Sequence, residues 1–555
     1  MYINFKLLIV LCSFSYNAFA QDFILNPSSI THPVVASKGM VATQHYLASK
    51  VGEDILNQGG NAYDAAVAVG FALAVVLPRA GNIGGGGFMV MHDAKSNEAF
   101  SIDYREKAPL KASRDMYLND DGSVNSLRST VGYLAIGVPG SVYGMWEVHK
   151  KFGSMEWAEL LQPAIKLASE GFVMSQYMTM TLNSRYKKLS QFPETKDIFY
   201  KDYPIEFNNV LIQADLAQTL TLIAQNGVAG FYEGEVADKI VNAMEKNGGL
   251  ISHRDLKKYR PNWRKPLRSN YKGMNIITMG PPSSGGIHLI QMLNILENYN
   301  LKSFGHNNPR YVALLAEVMK FAYADRSKYL GDPDFYKVPV EELTSKEYAT
   351  AINQKLRLFE FMIPSPLPSS SIEPGEYMRK ESEETTHYSI ADQYGNIISN
   401  TYTLNSAFGS GVTIEGTGIL MNNEMDDFSA SPGTPNQFGL LGGEANKIVP
   451  EKRPLSSMTP TIVLKDGEPY FATGSPGGSR IITSVLQSIL NIVEFEFEVS
   501  DAILAPRIHH QWYPDVLQLE KSYNSQHAEA LTKKGYEIMK INPATALQIV
   551  MMKNN

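Results

Sequence analysis

Glu384-Thr-Thr-His-Tyr-Ser-Ile-Ala-Asp-Gln-Tyr-Gly-Asn-Ile-Ile-Ser-Asn-Thr-Tyr-Thr-Leu404 has the pattern of two strands joined by a turn. Thr385 to Ala391 and Ile397 to Leu404 are rich in β-branched and aromatic residues, which suit a packed, pleated surface. Between them, Asp392-Gln-Tyr-Gly-Asn396 supplies the Gly and Asn/Asp of a hairpin turn. If Asp392 pairs with Ile397, Thr385 lies opposite Leu404, within one residue of Thr403 and Asn405. The chain before the hairpin differs in character. Residues 360–384 pass from Ile363-Pro-Ser-Pro-Leu-Pro-Ser-Ser-Ser to Glu373-Pro-Gly-Glu376 and then to the acidic Glu381-Ser-Glu-Glu384. That composition predicts an exposed loop or linker. A threonine therefore opens a strand directly after an exposed acidic stretch.

Working outward, 459–465 and 469–474 are further strand candidates. Residues 39–77 read as one helix followed by a second, Ala-rich one, with Gly59-Gly60-Asn61 as the break. Asp64 to Leu77 is nearly all small or apolar, which predicts a helix buried on every side. Gly84 to Gly87 leads into the apolar Phe88-Met-Val-Met91, a strand candidate. Residues 142–172, 211–247, 287–299 and 309–330 are mainly helical in pattern. The expected class is α+β, helix-rich in the first half and sheet-rich in the second, with no internal repeat. With 555 residues, 44% apolar and 19% charged, the chain can bury a large core. Its formal charge of −6 gives no reason to expect nucleic acid or an anionic membrane surface as partner.

The first twenty residues predict export. Lys6 precedes the apolar run Leu7 to Phe14, and Asn17-Ala-Phe-Ala20 supplies a small-residue cleavage site, the layout of a secretory signal peptide over 1–20. The run is too short to span a bilayer, so no stable membrane insertion is expected. The single cysteine, Cys12, lies inside this segment. The remainder of the chain has no thiol, so covalent catalysis there must use an oxygen or nitrogen nucleophile.

The Gly-x-Ser-x-Gly elbow, the His-Glu-x-x-His helix and the Walker lysine are all absent, and Gly84 to Gly87 does not fit Gly-x-Gly-x-x-Gly. His509-His510 reads as a structural pair, since neighbours on a strand point to opposite faces. What stands out is a set of short segments that together look like an N-terminal-threonine hydrolase. A hydroxyl attacks poorly without a base beside it, and an α-amine with a pKa of about 7.7–8.0 can be that base if the residue becomes a chain terminus. Glu384-Thr385 has the required context, although Thr-Thr opening a strand is also ordinary β-propensity. Gly474-Ser-Pro-Gly-Gly478 offers consecutive backbone N–H groups for an oxyanion, or simply a tight turn. Asn422-Asn-Glu-Met-Asp-Asp427 concentrates acceptors for an ammonium, or forms a solvated turn. Arg105 has the fork to grip a carboxylate, or makes a surface ion pair; Ser456-Ser457 adds hydroxyl donors or caps a turn.

Together these segments resemble the γ-glutamyltransferase family, also called γ-glutamyl transpeptidases or glutathione hydrolases. The matching text is Ile83-Gly-Gly-Gly-Gly-Phe-Met89, Asp103-Tyr-Arg-Glu-Lys-Ala-Pro109, Thr385-Thr-His-Tyr-Ser389, Thr401-Tyr-Thr-Leu-Asn405, Gly418-Ile-Leu-Met-Asn-Asn-Glu-Met-Asp-Asp-Phe428, Lys452-Arg-Pro-Leu-Ser-Ser-Met458 and Gly474-Ser-Pro-Gly-Gly-Ser-Arg480, in family order. The resemblance implies a four-layer αββα sandwich whose two stacked sheets are shared by two subunits. These would be a large subunit, 21–384, and a small catalytic subunit, 385–555, produced when Thr385 attacks the carbonyl of Glu384. It implies that the Thr385 hydroxyl then takes the γ-glutamyl group from glutathione or a similar small molecule and passes it to water or to an amino acid or peptide acceptor. Thr403 would hydrogen-bond the nucleophile, and the Gly477 and Gly478 amides would hold the oxyanion. Arg105, Ser456 and Ser457 would bind the substrate α-carboxylate; Asn405, Glu424 and Asp427 would bind its α-amino group. Residues 432–446 look like the lid loop of bacterial members, with Phe438 over the pocket. No cofactor or metal is implied, and the expected location is the periplasm, with full secretion as the alternative. Family members usually continue past the strand at Thr545–Met552 with a glycine-containing stretch, whereas this chain stops at Asn555.

Three other readings compete, one of them an uncleaved, inactive relative of the same family. A related acylase would use the same nucleophile on a side-chain acyl group such as glutaryl, which has no α-amine for Glu424 and Asp427. A periplasmic binding protein for amino acids or peptides would need no threonine after a linker and would remain one chain.

Overall fold

The computed structural model describes residues 32–372, 385–431, 437, 440 and 442–553. Residues 1–20, where a signal peptide is expected, the acidic end of the linker with Glu384, and Phe438 lie outside these residues. Eleven strands build two main sheets: β1 (Gly39–Thr43), β2 (Gly86–Asp93), β3 (Glu98–Asp103), β4 (Asn262–Arg264), β5 (Leu267–Tyr271), β6 (Met274–Thr278), β7 (Thr386–Asp392), β8 (Ile397–Thr403), β9 (Thr461–Lys465), β10 (Glu468–Gly474) and β11 (Gln548–Met551). The first sheet has the order β1-β7-β8-β2-β3-β4 and the second β11-β10-β9-β6-β5. Both contain strands from before and after Thr385, and every neighbouring pair is antiparallel.

The sheets stack face to face, with helices outside each. Against the first lie α1 (Tyr46–Asn57), α2 (Ala62–Val76) and α3 (Ser141–Phe152), with α4 (Trp157–Glu170) packed on α2. Against the second lie α5 (Gly285–Leu296) and α7 (Arg480–Val493), with α6 (Pro309–Tyr329) packed on α5. This is the expected αββα sandwich. Every residue of α2 is buried, as its composition predicts. Its start is fixed by a capping box between Asn61 and Asp64, and Asp392 Oδ2 at the hairpin turn accepts from Ala62 N at 2.8 Å. Tyr388 and Tyr402, on the helix-facing side of the hairpin, donate to the carbonyls of Ala66 and Gly70 at 2.9 and 2.8 Å. Among the described residues no helix is long and apolar enough to cross a membrane.

Three local expectations are corrected. Residues 39–43 are an edge strand, paired Gly39↔Asp392 through Thr43↔Tyr388, and the helix begins only at Tyr46. The hairpin register is shifted by one. Asp392 N donates to Asn396 O at 3.1 Å and Asp392 Oδ1 accepts from Tyr394 N and Asn396 N, so Asp392 belongs to the turn and Ile397 pairs with Ala391. Following Thr386↔Tyr402, Thr385 then faces Thr403 itself. Third, the Pro/Ser-rich start of the linker is docked on the protein: Ser369 and Ile372 are buried.

The opposite face of the hairpin points at the second sheet and is polar. His387 bonds Thr401 Oγ1 at 2.8 Å and Ser389 Oγ at 3.0 Å, and Ser399 Oγ donates to Thr473 O at 3.0 Å. A Cβ on Gly474 would lie 2.2 Å from His387 Cε1, so the strand there must be glycine. The imidazole cannot retreat without losing two buried hydrogen bonds. Gly474→Ala is expected to destabilise the fold by about 1–3 kcal/mol, measured by denaturant unfolding; an unchanged midpoint would show that the ring yields freely.

Candidate active site

The hairpin ends at a narrow pocket of about 30 Å³ lined by Thr385, Thr403, Asn405, Glu424, Asp427, Arg105, Ser456, Ser457 and Gly478, which are nine of the residues singled out from sequence. The Thr385 hydroxyl lies 3.5 Å from Thr403 Oγ1, which accepts from Asn405 N at 2.8 Å. Asn405 has φ 75°, a left-handed conformation that asparagine tolerates better than most residues, and this turns its side chain to Asn423 O at 3.0 Å.

The acidic wall is held by a saturated asparagine. Asn422 Nδ2 donates to Gly84 O and Gly137 O at 2.8 and 2.9 Å, while its Oδ1 accepts from Gly137 N and Glu424 N at 2.9 and 3.0 Å. The glycine run before β2 serves this packing: a Cβ on Gly85 would lie 2.1 Å from Thr403 O. Against the wall sits Arg105, 1% exposed, its guanidinium pairing with Glu424 and Asp427 together and lying 3.6 Å from Glu106. Arg105 Nε and Nη2 also approach Pro454 O and Leu455 O at 3.4 Å, which ties it to the extended segment leading into Ser456. Ser456 is fixed through its backbone to Pro282 and Ser284 at 2.9 and 2.8 Å.

Three carboxyls therefore surround one guanidinium. Burial, opposed by Arg105 and reinforced by Glu106, holds Glu424 well above the usual carboxylate range; burial pushes Glu106 up to about 7 and raises Asp427 as well. Burial works against the Arg105 charge, but Glu424 and Asp427 outweigh it and keep the guanidinium cationic. A ligand ammonium entering here would supply positive charge that the carboxyls lack, and its carboxylate would be drawn to the cations.

Gly477 and Gly478 precede α7, and among the described residues neither amide donates to a protein acceptor. Gly478 lines the pocket; Gly477 is adjacent but not part of the lining. Sequence reasoning missed Arg326, Met458, Ile481 and Leu440, which complete the walls. Arg326 is buried, and donates to Ser284 Oγ at 3.0 Å and to Ser457 Oγ at 3.2 Å. The sequence gives little signal for it, because α6 also holds the charged Glu317, Lys320 and Asp325, which are buried as well. His509 and His510 are a structural pair, bonded to Thr483 Oγ1 at 2.9 Å and to Asp515 at 3.3 Å. Among the described residues no group of three or more His, Cys, Asp or Glu is placed to hold a metal ion. A wider surface cleft of about 550 Å³ beside Gln191–Pro193 has Arg128 as its one charged lining residue and lacks this convergence of groups.

Comparison with known proteins agrees with the geometry. The family model described as gamma-glutamyltranspeptidase matches residues 48–555. The glutathione hydrolase proenzyme of Escherichia coli (strain K12) is 47% identical over 525 residues, covering 94% of this chain and 90% of that protein. Among solved structures, the Helicobacter pylori gamma-glutamyltranspeptidase is 46% identical with a TM-score of 0.59, covering 62% of this chain and 97% of that one. A cephalosporin acylase from Bacillus halodurans is 26% identical with a TM-score of 0.78, covering 96% of this chain and all of that one.

Proposed function

This chain belongs to the gamma-glutamyltranspeptidase family, and from that premise we propose that it cuts its own backbone before Thr385 and uses the freed threonine to transfer γ-glutamyl groups. The observation carrying the proposal is the position of Thr385. It immediately precedes β7 at the pocket, 3.5 Å from the Thr403 hydroxyl, with Arg105, Glu424 and Asp427 lining the same pocket.

In the precursor the Thr385 hydroxyl adds to the carbonyl carbon of Glu384. The peptide C–N bond breaks and an ester forms, and water then releases the Glu384 carboxylate and a free α-amine on Thr385. That amine, with a pKa of about 7.7–8.0, takes the hydroxyl proton in the second reaction. The hydroxyl attacks the γ-carbonyl of glutathione or another γ-glutamyl compound while the Gly477 and Gly478 amides hold the developing oxyanion. The amine or peptide leaves, and the γ-glutamyl ester passes to water or to an amino acid or peptide acceptor. Arg105, Ser456 and Ser457 hold the α-carboxylate; Asn405, Glu424 and Asp427 hold the α-ammonium.

An acylase acting on glutaryl groups has the same fold and nucleophile. The buried Glu424 and the partly exposed Asp427 beside it favour the γ-glutamyl reading, since a glutaryl group would bring no ammonium to these two carboxyls. Turnover of γ-glutamyl-p-nitroanilide should therefore exceed that of glutaryl-p-nitroanilide; the reverse order would select the acylase. Export through a signal peptide over 1–20 and residence in the periplasm are proposed on the Lys6, apolar run and Ala18-Phe-Ala20 pattern.

The central test is a denaturing gel with N-terminal sequencing. Active protein should give two bands, the smaller beginning Thr-Thr-His-Tyr-Ser. Activity from a single intact chain would defeat the proposal.

A further inference from the structure

The chain leading into the processing segment is clamped to residues that follow Thr385. Ser369 N donates to Asp515 Oδ2 at 2.8 Å and Ser369 Oγ to Trp512 O at 2.7 Å. Trp512 Nε1 donates back to the carbonyls of Ser369 and Ile372 at 2.9 and 3.1 Å. Asp515 is paired with Lys320 at 3.2 Å and His510 at 3.3 Å. Lys320 reaches Glu317 at 3.1 Å and donates to Leu367 O at 2.9 Å. Burial pushes His510 down to about 4, so it donates to Asp515 as a neutral imidazole, and Lys320 supplies the charge. Ser369, Ile372, Lys320, His510 and Trp512 are all buried.

This Pro- and Ser-rich stretch has only one short 3-10 turn of its own, Ser369–Ser371, so much of its order comes from these contacts. Their partners lie on both sides of the cut: Lys320 on α6 precedes it, and Trp512 and Asp515 follow it. Resting on cleavage before Thr385, we propose that residues 367–372 are an anchor that keeps the end of the large subunit bound to the small one, and that Trp512 and Asp515 are positioning residues for the maturation cut.

The anchor has a kinetic consequence. Twelve residues separate Ile372 from Thr385, whereas a segment released from Phe361 onward would have twenty-four. The probability of closing a chain falls roughly as the 3/2 power of its length, so losing the anchor should slow cleavage about threefold.

Two measurements test this. Hydrogen exchange read by mass spectrometry on a peptide spanning 363–372 should show protected amides in both the uncleaved Thr385→Ala chain and the matured wild type. Fast exchange in the matured form would overturn the anchor. In Ser369→Ala/Trp512→Phe, which removes the hydroxyl and indole bonds but leaves Ser369 N–Asp515 and Lys320–Leu367 O, the appearance of the two bands should slow measurably, by up to about threefold, while kcat and KM of the matured fraction for γ-glutamyl-p-nitroanilide stay within about twofold of wild type. Unchanged maturation, or equal losses in maturation and kcat with a lowered unfolding midpoint, would reduce these contacts to ordinary packing. Wild-type protein that remains one band would instead refute the cleavage itself, a result visible before any variant is made.

Discussion

Thr385→Ala is expected to leave a single full-length chain on a denaturing gel and no measurable γ-glutamyl transfer. One oxygen serves two reactions. Before cleavage it is the atom that attacks the Glu384 carbonyl, and afterwards it is the atom that carries the γ-glutamyl ester. The neighbouring Thr403 hydroxyl, 3.5 Å away, is no substitute, because it already accepts from Asn405 N and sits in mid-chain with no α-amine to take its proton. Removing a covalent nucleophile costs on the order of 10⁶ in kcat where such a group has been deleted, so activity should fall below detection. The fold should survive, since Thr385 contributes one small side chain just before β7. Thr385→Ser makes the decisive companion: it keeps the oxygen and loses a methyl group, and should still give two bands, more slowly. A band beginning at residue 385 in the alanine variant would show that another group cuts the chain.

Legibility in the sequence followed the range of the physical cause. The hairpin and the buried α2 rest on local signals, strand propensity around a Gly/Asn turn and an Ala-rich run. The pocket residues were ambiguous on local grounds and became legible through the resemblance of their motifs, taken together, to one family. The one-residue error in register came from Asp392, whose carboxylate caps the turn through Tyr394 N and Asn396 N; side-chain capping of this kind is invisible to strand propensity. Residues 39–43 were absorbed into the following helix because their pairing partner lies about 350 residues away at Tyr388–Asp392. The 363–372 stretch looked like a linker because composition reports the absence of regular structure, not the absence of tertiary contacts. Arg326 was missed for a related reason: a charged residue in a helical pattern reads as surface until the packing of α6 is known.

Arg105→Lys is expected to mature normally and to raise KM for γ-glutamyl-p-nitroanilide on the order of tenfold or more. The scissile bond of the precursor follows Glu384, whose backbone offers no free α-carboxylate, so cleavage does not need the guanidinium. The free substrate does carry that carboxylate. Arg105 also holds Glu424 and Asp427 together, and a lysine ammonium, a point charge on a flexible stem, cannot bridge both while presenting a planar fork. Losing that bridge leaves buried Glu424, already held well above the usual carboxylate range, still easier to protonate, which weakens the α-ammonium site as well. Both ends of the zwitterion are therefore affected. Thr385, Thr403 and the Gly478 amide are not among the Arg105 partners, so kcat should fall much less than KM rises. Each charge-assisted hydrogen bond is worth about 1.5–3 kcal/mol, and about 1.4 kcal/mol corresponds to tenfold in affinity. Normal maturation with wild-type KM would remove Arg105 from substrate binding. Failure to mature would mean that its pairing with Glu424 and Asp427 holds the pocket wall in place before the substrate ever arrives.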